Sequence, residues 1–153
     1  MKRFFLLLTI TAMSSIACLT AQNIPERFAG IWQQKQKITE NETEKNGSER
    51  IVHLPVWKIL NKDGTFCTFL IANRKGESII TTKGTFAITD ETTYLEHITG
   101  SITDPSLVNK DNIIKYTFTT DNTMTLTYRM PGAAKEAVEM WTRVKMAMPG
   151  QER

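Results

Sequence analysis

From Asp63 to Gly132 the chain is cut about every ten residues by a pair of turn-forming residues, and this spacing limits the possible folds more than any other feature. The pairs are Asp63-Gly64, Lys75-Gly76, Lys83-Gly84, Asp90-Glu91, Asp104-Pro105, Asp121-Asn122 and Pro131-Gly132. Between them, and ahead of them, lie runs rich in threonine, isoleucine, valine and aromatic residues: 31–39, 51–60, 65–73, 77–82, 85–89, 92–99, 112–120, 123–130 and 137–145. β-branched and aromatic runs bounded by such pairs read as strands joined by hairpins. No gap is long enough for the crossover helix that parallel strands would need, so successive strands must be antiparallel neighbours. The polar stretch 40–50 reads as a solvated loop, and 103–110 has room for a short turn of helix.

The late strands show how the sheet is buried. One parity carries Ile114, Tyr116 and Phe118, then Met124, Leu126, Tyr128 and Met130, while the other carries threonines, Lys115 and Arg129. Such alternation gives the sheet one dry face and one wet face. A sheet of about nine strands with a single dry face must stack on itself or close, and closure removes its exposed edges. The expected fold is therefore all-β: an antiparallel up-and-down β-barrel of about 8–10 strands in a single domain.

The first 21 residues read differently. Lys2 and Arg3 precede an uncharged apolar run from Phe4 to Leu19 and then small residues, the three-part layout of a secretory signal. The run falls short of the ~20 apolar residues that span a bilayer, and no later stretch could span one. A cut after Ala21 leaves 22–153 as the mature domain, periplasmic or secreted. In the alternative, Ser15-Ile16-Ala17-Cys18 acts as a lipoprotein box and the protein is lipid-anchored through Cys18. Loss of Lys2 and Arg3 takes the formal net charge from +3 to +1, which gives no electrostatic footprint for nucleic acid. Of the two cysteines only Cys67 stays in the body of the domain, so no disulfide can staple it and packing must stabilise it.

Gly30 stands two places before Trp32 at the start of the first strand, and Arg143 lies in "MWTRVK" within the last. This combination resembles the lipocalin and wider calycin signature, in which a Gly-x-Trp opens the first strand and a late arginine packs across the tryptophan at the closed end. The region from Phe28 to about Lys145, with "FAGIW", "PVWKILNKDGTF" and "MWTRVK", also resembles small secreted bacterial lipocalin-like domains of unassigned function. The resemblance implies that Gly30 lets the chain bend into the barrel floor, that Trp32 plugs it, and that Arg143 stacks on the indole while donating to nearby carbonyls. It carries no catalytic assignment.

The residues themselves offer little chemistry. His53 and His97 fall on separate strands, and Glu96 beside His97 points to the opposite face, so no metal set forms locally. Cys67, between Phe66 and Phe69, reads as a small buried apolar group, because nothing near it would stabilise a thiolate. Ser101 lacks the strand-to-helix elbow of a hydrolase serine, and no glycine motif cradles a phosphate. The expected protein is not an enzyme and has no cofactor. It binds a small, largely apolar ligand in the barrel lumen, opposite Trp32, gated by 40–50 and 100–110. Candidate lumen residues are Gln34, Tyr116, Phe118, Met124, Tyr128 and Met130, of which Gln34, Tyr116 and Tyr128 could orient a polar head group. The alternative is a surface interaction module with a filled core.

Overall fold

The computed structural model describes residues 24–39, 49–71, 77–130 and 132–146. The expected export signal with Cys18, most of the stretch 40–50 expected as a loop and the expected turn at Lys75-Gly76 lie outside these residues. Eight strands follow one another in the chain: β1 Gly30–Thr39, β2 Glu49–Leu60, β3 Thr65–Ile71, β4 Ser78–Ile88, β5 Thr93–Ser101, β6 Lys110–Thr120, β7 Thr123–Tyr128 and β8 Ala137–Arg143. A 3₁₀ turn, Pro105–Leu107, sits between β5 and β6, and the side chain of Asp104 caps it by accepting from the Ser106 N–H. Each strand pairs antiparallel with the next, and β1 also pairs with β8 from Trp32 opposite Arg143 to Lys35 opposite Met140. The sheet is thus a closed up-and-down barrel of the kind a lipocalin-like protein would have.

One expected turn is not a turn. Lys83-Gly84 lies inside β4, which fuses the runs 77–82 and 85–89 into one strand with a register shift against β5 between Lys83 and Gly84. A Cβ on Gly84 would run into the His97 carbonyl oxygen of β5, so glycine is required here by a close backbone approach rather than by a hairpin. The fusion also settles closure. Nine alternating strands would bring the first and last together parallel, whereas eight bring them together antiparallel, as β1 and β8 are.

The dry parity faces inward. Ile114, Tyr116, Met124 and Leu126 are buried, while Lys115, Thr117, Thr119 and Arg129 are exposed. The hairpin turns β2–β3, β4–β5 and β6–β7 gather at the end where β1 begins, and the segment before β1 closes that end. Pro25 O accepts from the Phe28 N–H at 2.9 Å and turns the chain inward, which buries Ile24 and Phe28. Phe28 meets Tyr116 and Phe118 edge-to-face at centroid distances of 4.7 and 5.1 Å, a favoured aromatic geometry. Trp32, fully buried, donates from Nε1 to Phe28 O at 2.9 Å and so fixes the plug to the first strand. The result is a floor packed with rings.

Candidate functional site

Along the inward face of several strands, one step of two residues away from the floor replaces an apolar side chain by a polar one. On β2 Leu60 gives way to Lys58, on β5 Tyr94 to Glu96, on β7 Leu126 to Tyr128, and on β8 Trp141 to Glu139. Beyond this step the lumen is not filled. A cavity of about 160 Å³ lies there, between these polar groups and the 3₁₀ turn, which contributes Leu107.

Lys58 and Glu96 meet across the lumen. Lys58 Nζ donates to Glu96 Oε1 at 2.7 Å, although β2 and β5 are not neighbours in the sheet. The same oxygen accepts from the Tyr94 hydroxyl at 3.1 Å. Both charged side chains are at most 7% exposed, so the pair forms in a poorly solvated interior where its attraction has to offset a large desolvation cost. The rings of Phe66 and Trp141, with centroids 5.5 and 5.7 Å from Lys58 Nζ, add cation–π attraction.

Glu139 is held differently. Its Oε1 accepts from the Tyr128 hydroxyl at 2.8 Å and its Oε2 from Trp141 Nε1 at 3.0 Å, two neutral donors that fix the carboxylate with no cation within ion-pair distance among the described residues. Burial pushes the Tyr128 hydroxyl well up from its ordinary value, and the charge of Glu139 and the hydrogen bond to it push it further. Tyr94 is raised in the same way, by burial first and then by Glu96. Each tyrosine also feels the other's carboxylate, so the four groups share one electrostatic environment.

Of the residues expected in the lumen, Gln34, Tyr128 and Met130 line the cavity. Tyr116, Phe118 and Met124 belong instead to the packed floor: Tyr116 donates to Asp90 O at 3.1 Å, Phe118 rests on Phe28, and Met124 is fully buried. Lys58, Glu96 and Glu139 are the residues that sequence reasoning missed. Their signal was parity, since Lys58 sits in phase with Val56 and Leu60, Glu96 in phase with Tyr94 and Ile98, and Glu139 in phase with Trp141.

The remaining candidates point away from the cavity. His53 is exposed on β2, and His97 on the outer face of β5 pairs through Nδ1 with Asp111 Oδ1 at 2.7 Å. Cys67 is not the buried apolar group expected. It is half-buried on the outer parity of β3, because Phe66 and Thr68 take the inward positions. At the floor, the Arg143 guanidinium lies 4.3 Å from the Trp32 ring centroid and donates to Ala29 O at 2.6 Å and to Arg27 O. Gly30, at φ +145°, makes room for it: a Cβ there would collide with Arg143 Nη1.

A family profile described as a domain of unknown function (DUF4488) matches residues 27–150. The chain belongs to the DUF4488 family. The match takes in all eight strands, the Trp32–Arg143 contact and every residue of the cavity wall. No curated protein matches this DUF4488 chain. No helix among its described residues is long and apolar enough to cross a membrane. What the DUF4488 barrel presents inward is a small space of mixed lining, with Val56, Ile98, Leu107, Ile114 and Met130 set among Gln34, Thr82, Thr103 and Asn112, and a set of hydrogen-bonding and charged groups at its base. Such an arrangement can orient a molecule that carries one polar end.

Proposed function

We propose that this DUF4488 protein is an exported, lipocalin-like binding protein that holds a small molecule in its barrel lumen and performs no chemistry on it. The cavity carries this reading. Its volume of about 160 Å³ is close to that of an engineered protein cavity that accepts benzene, so it suits a ligand of roughly six to ten non-hydrogen atoms. Val56, Ile98, Leu107, Ile114 and Met130 would cover an apolar body, and the polar base would take a head group. A long acyl chain exceeds this space. The cavity favours this reading over a surface module with a filled core. That His53, His97 and Cys67 all face outward supports binding rather than catalysis, because none of them can reach a molecule held inside.

Native mass spectrometry of protein purified from its own host tests the proposal, together with titration of the purified protein with benzyl alcohol. The expected result is a retained small mass, or saturable binding of the alcohol within the lumen. A bare mass with no binding of the alcohol would return the filled-core module as the better reading. Export belongs to the same proposal, with lipid anchoring through Cys18 as its alternative. Fatty-acid analogue label present in the wild type and absent from Cys18→Ala would establish the anchored form.

A further inference from the structure

The base of the cavity carries more negative than positive charge, and the groups that carry it are arranged to be reached from the cavity. Lys58 and Glu96 neutralise one another at 2.7 Å. Glu139 has no such partner: its two hydrogen bonds come from the neutral donors Tyr128 and Trp141, and among the described residues no cation lies within ion-pair distance of it. Two carboxylates and one ammonium among the described residues therefore leave one negative charge in a partly buried space, where charge interactions are stronger than in bulk water.

The acceptor inventory points the same way. Each Glu139 oxygen uses one lone pair on the protein and keeps another. Glu96 receives both of its hydrogen bonds on Oε1, and its Oε2 accepts none among the described residues, although Glu96 is only 4% exposed and lines the cavity. No fully enclosed side-chain polar atom of the described residues lacks a partner, so Oε2 is left open to the cavity rather than sealed in the wall. A carboxylate oxygen that takes no hydrogen bond from the described residues and faces a cavity is a group open to a donor. An anion would have to displace Glu96 from Lys58 and lie beside Glu139. The indole of Trp141, on the cavity wall, already has a cation near it in Lys58 Nζ, 5.7 Å from the ring centroid.

We propose that the lumen selects a small organic monocation: a primary ammonium group on a compact apolar or aromatic body, with the ammonium donating to Glu139 and to Glu96 Oε2. This rests on the lumen-binding reading above and adds the charge of the head group to it. The selection comes from Glu139, which supplies the uncompensated charge. Lys58 keeps Glu96 in place and prevents the site from holding two free charges.

Three probes of nearly equal shape, each of about eight or nine non-hydrogen atoms and sized to this cavity, separate the possibilities: benzylamine, benzyl alcohol and benzoate. Calorimetric titration of the intact protein near neutral pH should show benzylamine binding about tenfold or more tightly than benzyl alcohol, the scale of a charge-assisted hydrogen bond, and benzoate not binding. Glu139→Gln should bring the amine down to the level of the alcohol while leaving alcohol binding in place. The comparison among wild-type affinities needs no variant, so the inference can be tested even if Glu139→Gln folds poorly. Equal binding of amine and alcohol would overturn the choice of a cation and leave lumen binding standing. A preference for benzoate would also overturn it, by showing that Lys58 rather than Glu139 faces the ligand. If none of the three binds, both the inference and the reading beneath it fall.

Discussion

Below Lys58 the barrel is filled with rings, and above it the same eight strands enclose charge and space. In the lower half Phe28, Trp32, Tyr94 and Met124 pack with no more than 2% of any of them exposed, and the polar atoms of Trp32 and Arg143 go to backbone carbonyls. In the upper half a buried ion pair, a glutamate with no ion-pair partner among the described residues and about 160 Å³ of unfilled volume occupy the matching positions. The first arrangement stabilises the fold through apolar burial. The second works against it, since a buried ion pair at best breaks even with apolar packing and unfilled volume forfeits on the order of a few kcal/mol. Both halves are built from the same strands and the same inward parity. The floor makes the barrel stable enough to carry a cavity half that is organised for something other than stability.

The largest effect should come from breaking the ion pair on one side only. Lys58→Met leaves Glu96 buried without its cation and should cost about 3–5 kcal/mol in denaturant unfolding. Adding Glu96→Leu should recover most of that loss, because two apolar side chains replace the pair. A single-variant cost below about 1 kcal/mol would mean that water reaches the pair freely, and the two halves would then differ less than their geometry states.

A smaller effect separates the halves by volume. Met124→Trp forces extra atoms into the packed floor and should lower stability by about 1–3 kcal/mol. Thr82→Leu adds a similar kind of bulk to the cavity wall, where there is room, and should stay within about 1 kcal/mol of wild type while abolishing benzyl alcohol binding. Thermal melts of the two variants side by side give the answer. Equal losses in both would show that the upper half is as tightly packed as the lower.

The two halves also differ in how far the sequence reveals them. Hairpin spacing and the alternation along β6 and β7 were enough to indicate a closed antiparallel barrel, and the floor was legible because Gly30, Trp32 and Arg143 form a recognisable set. Lys83-Gly84 misled because a lysine-glycine pair has turn composition, while the requirement for glycine comes from the His97 carbonyl of the neighbouring strand, which local sequence does not show. The cavity half was harder. Lys58 and Glu96 each break an apolar parity, and that much is visible in the chain. Their pairing is not, because it joins strands that are not adjacent and depends on the register of the closed sheet. The side-chain volumes likewise did not reveal that Met124 lies in the packed floor while Met130 borders the cavity, since both carry the same parity on the same hairpin arm.

The smallest expected effect lies at the boundary between the halves and is read through pH. Tyr128 donates to Glu139 at 2.8 Å, and burial together with that carboxylate holds its proton more tightly in the folded protein than in the unfolded chain, where a phenol titrates near 10.0. A group whose folded value is raised contributes stability that is fully present below the unfolded value and is lost as pH rises above it. Stability should therefore be flat with respect to Tyr128 up to about pH 10 and decline beyond, with Tyr94 declining in the same direction for the same reason. Tyr128→Phe removes the hydrogen bond, at a cost of about 1 kcal/mol near neutral pH, and removes that residue's share of the alkaline decline. The measurement is the urea midpoint of wild type and Tyr128→Phe at a series of pH values on either side of 10. The two curves should lie apart at neutral pH and converge as the solution becomes strongly alkaline, where the wild-type hydroxyl is lost as a donor. Parallel curves across the whole range would mean that Tyr128 titrates as freely folded as unfolded, and the carboxylate at the base of the cavity would then lack the fixed setting on which its role as a recognition group depends.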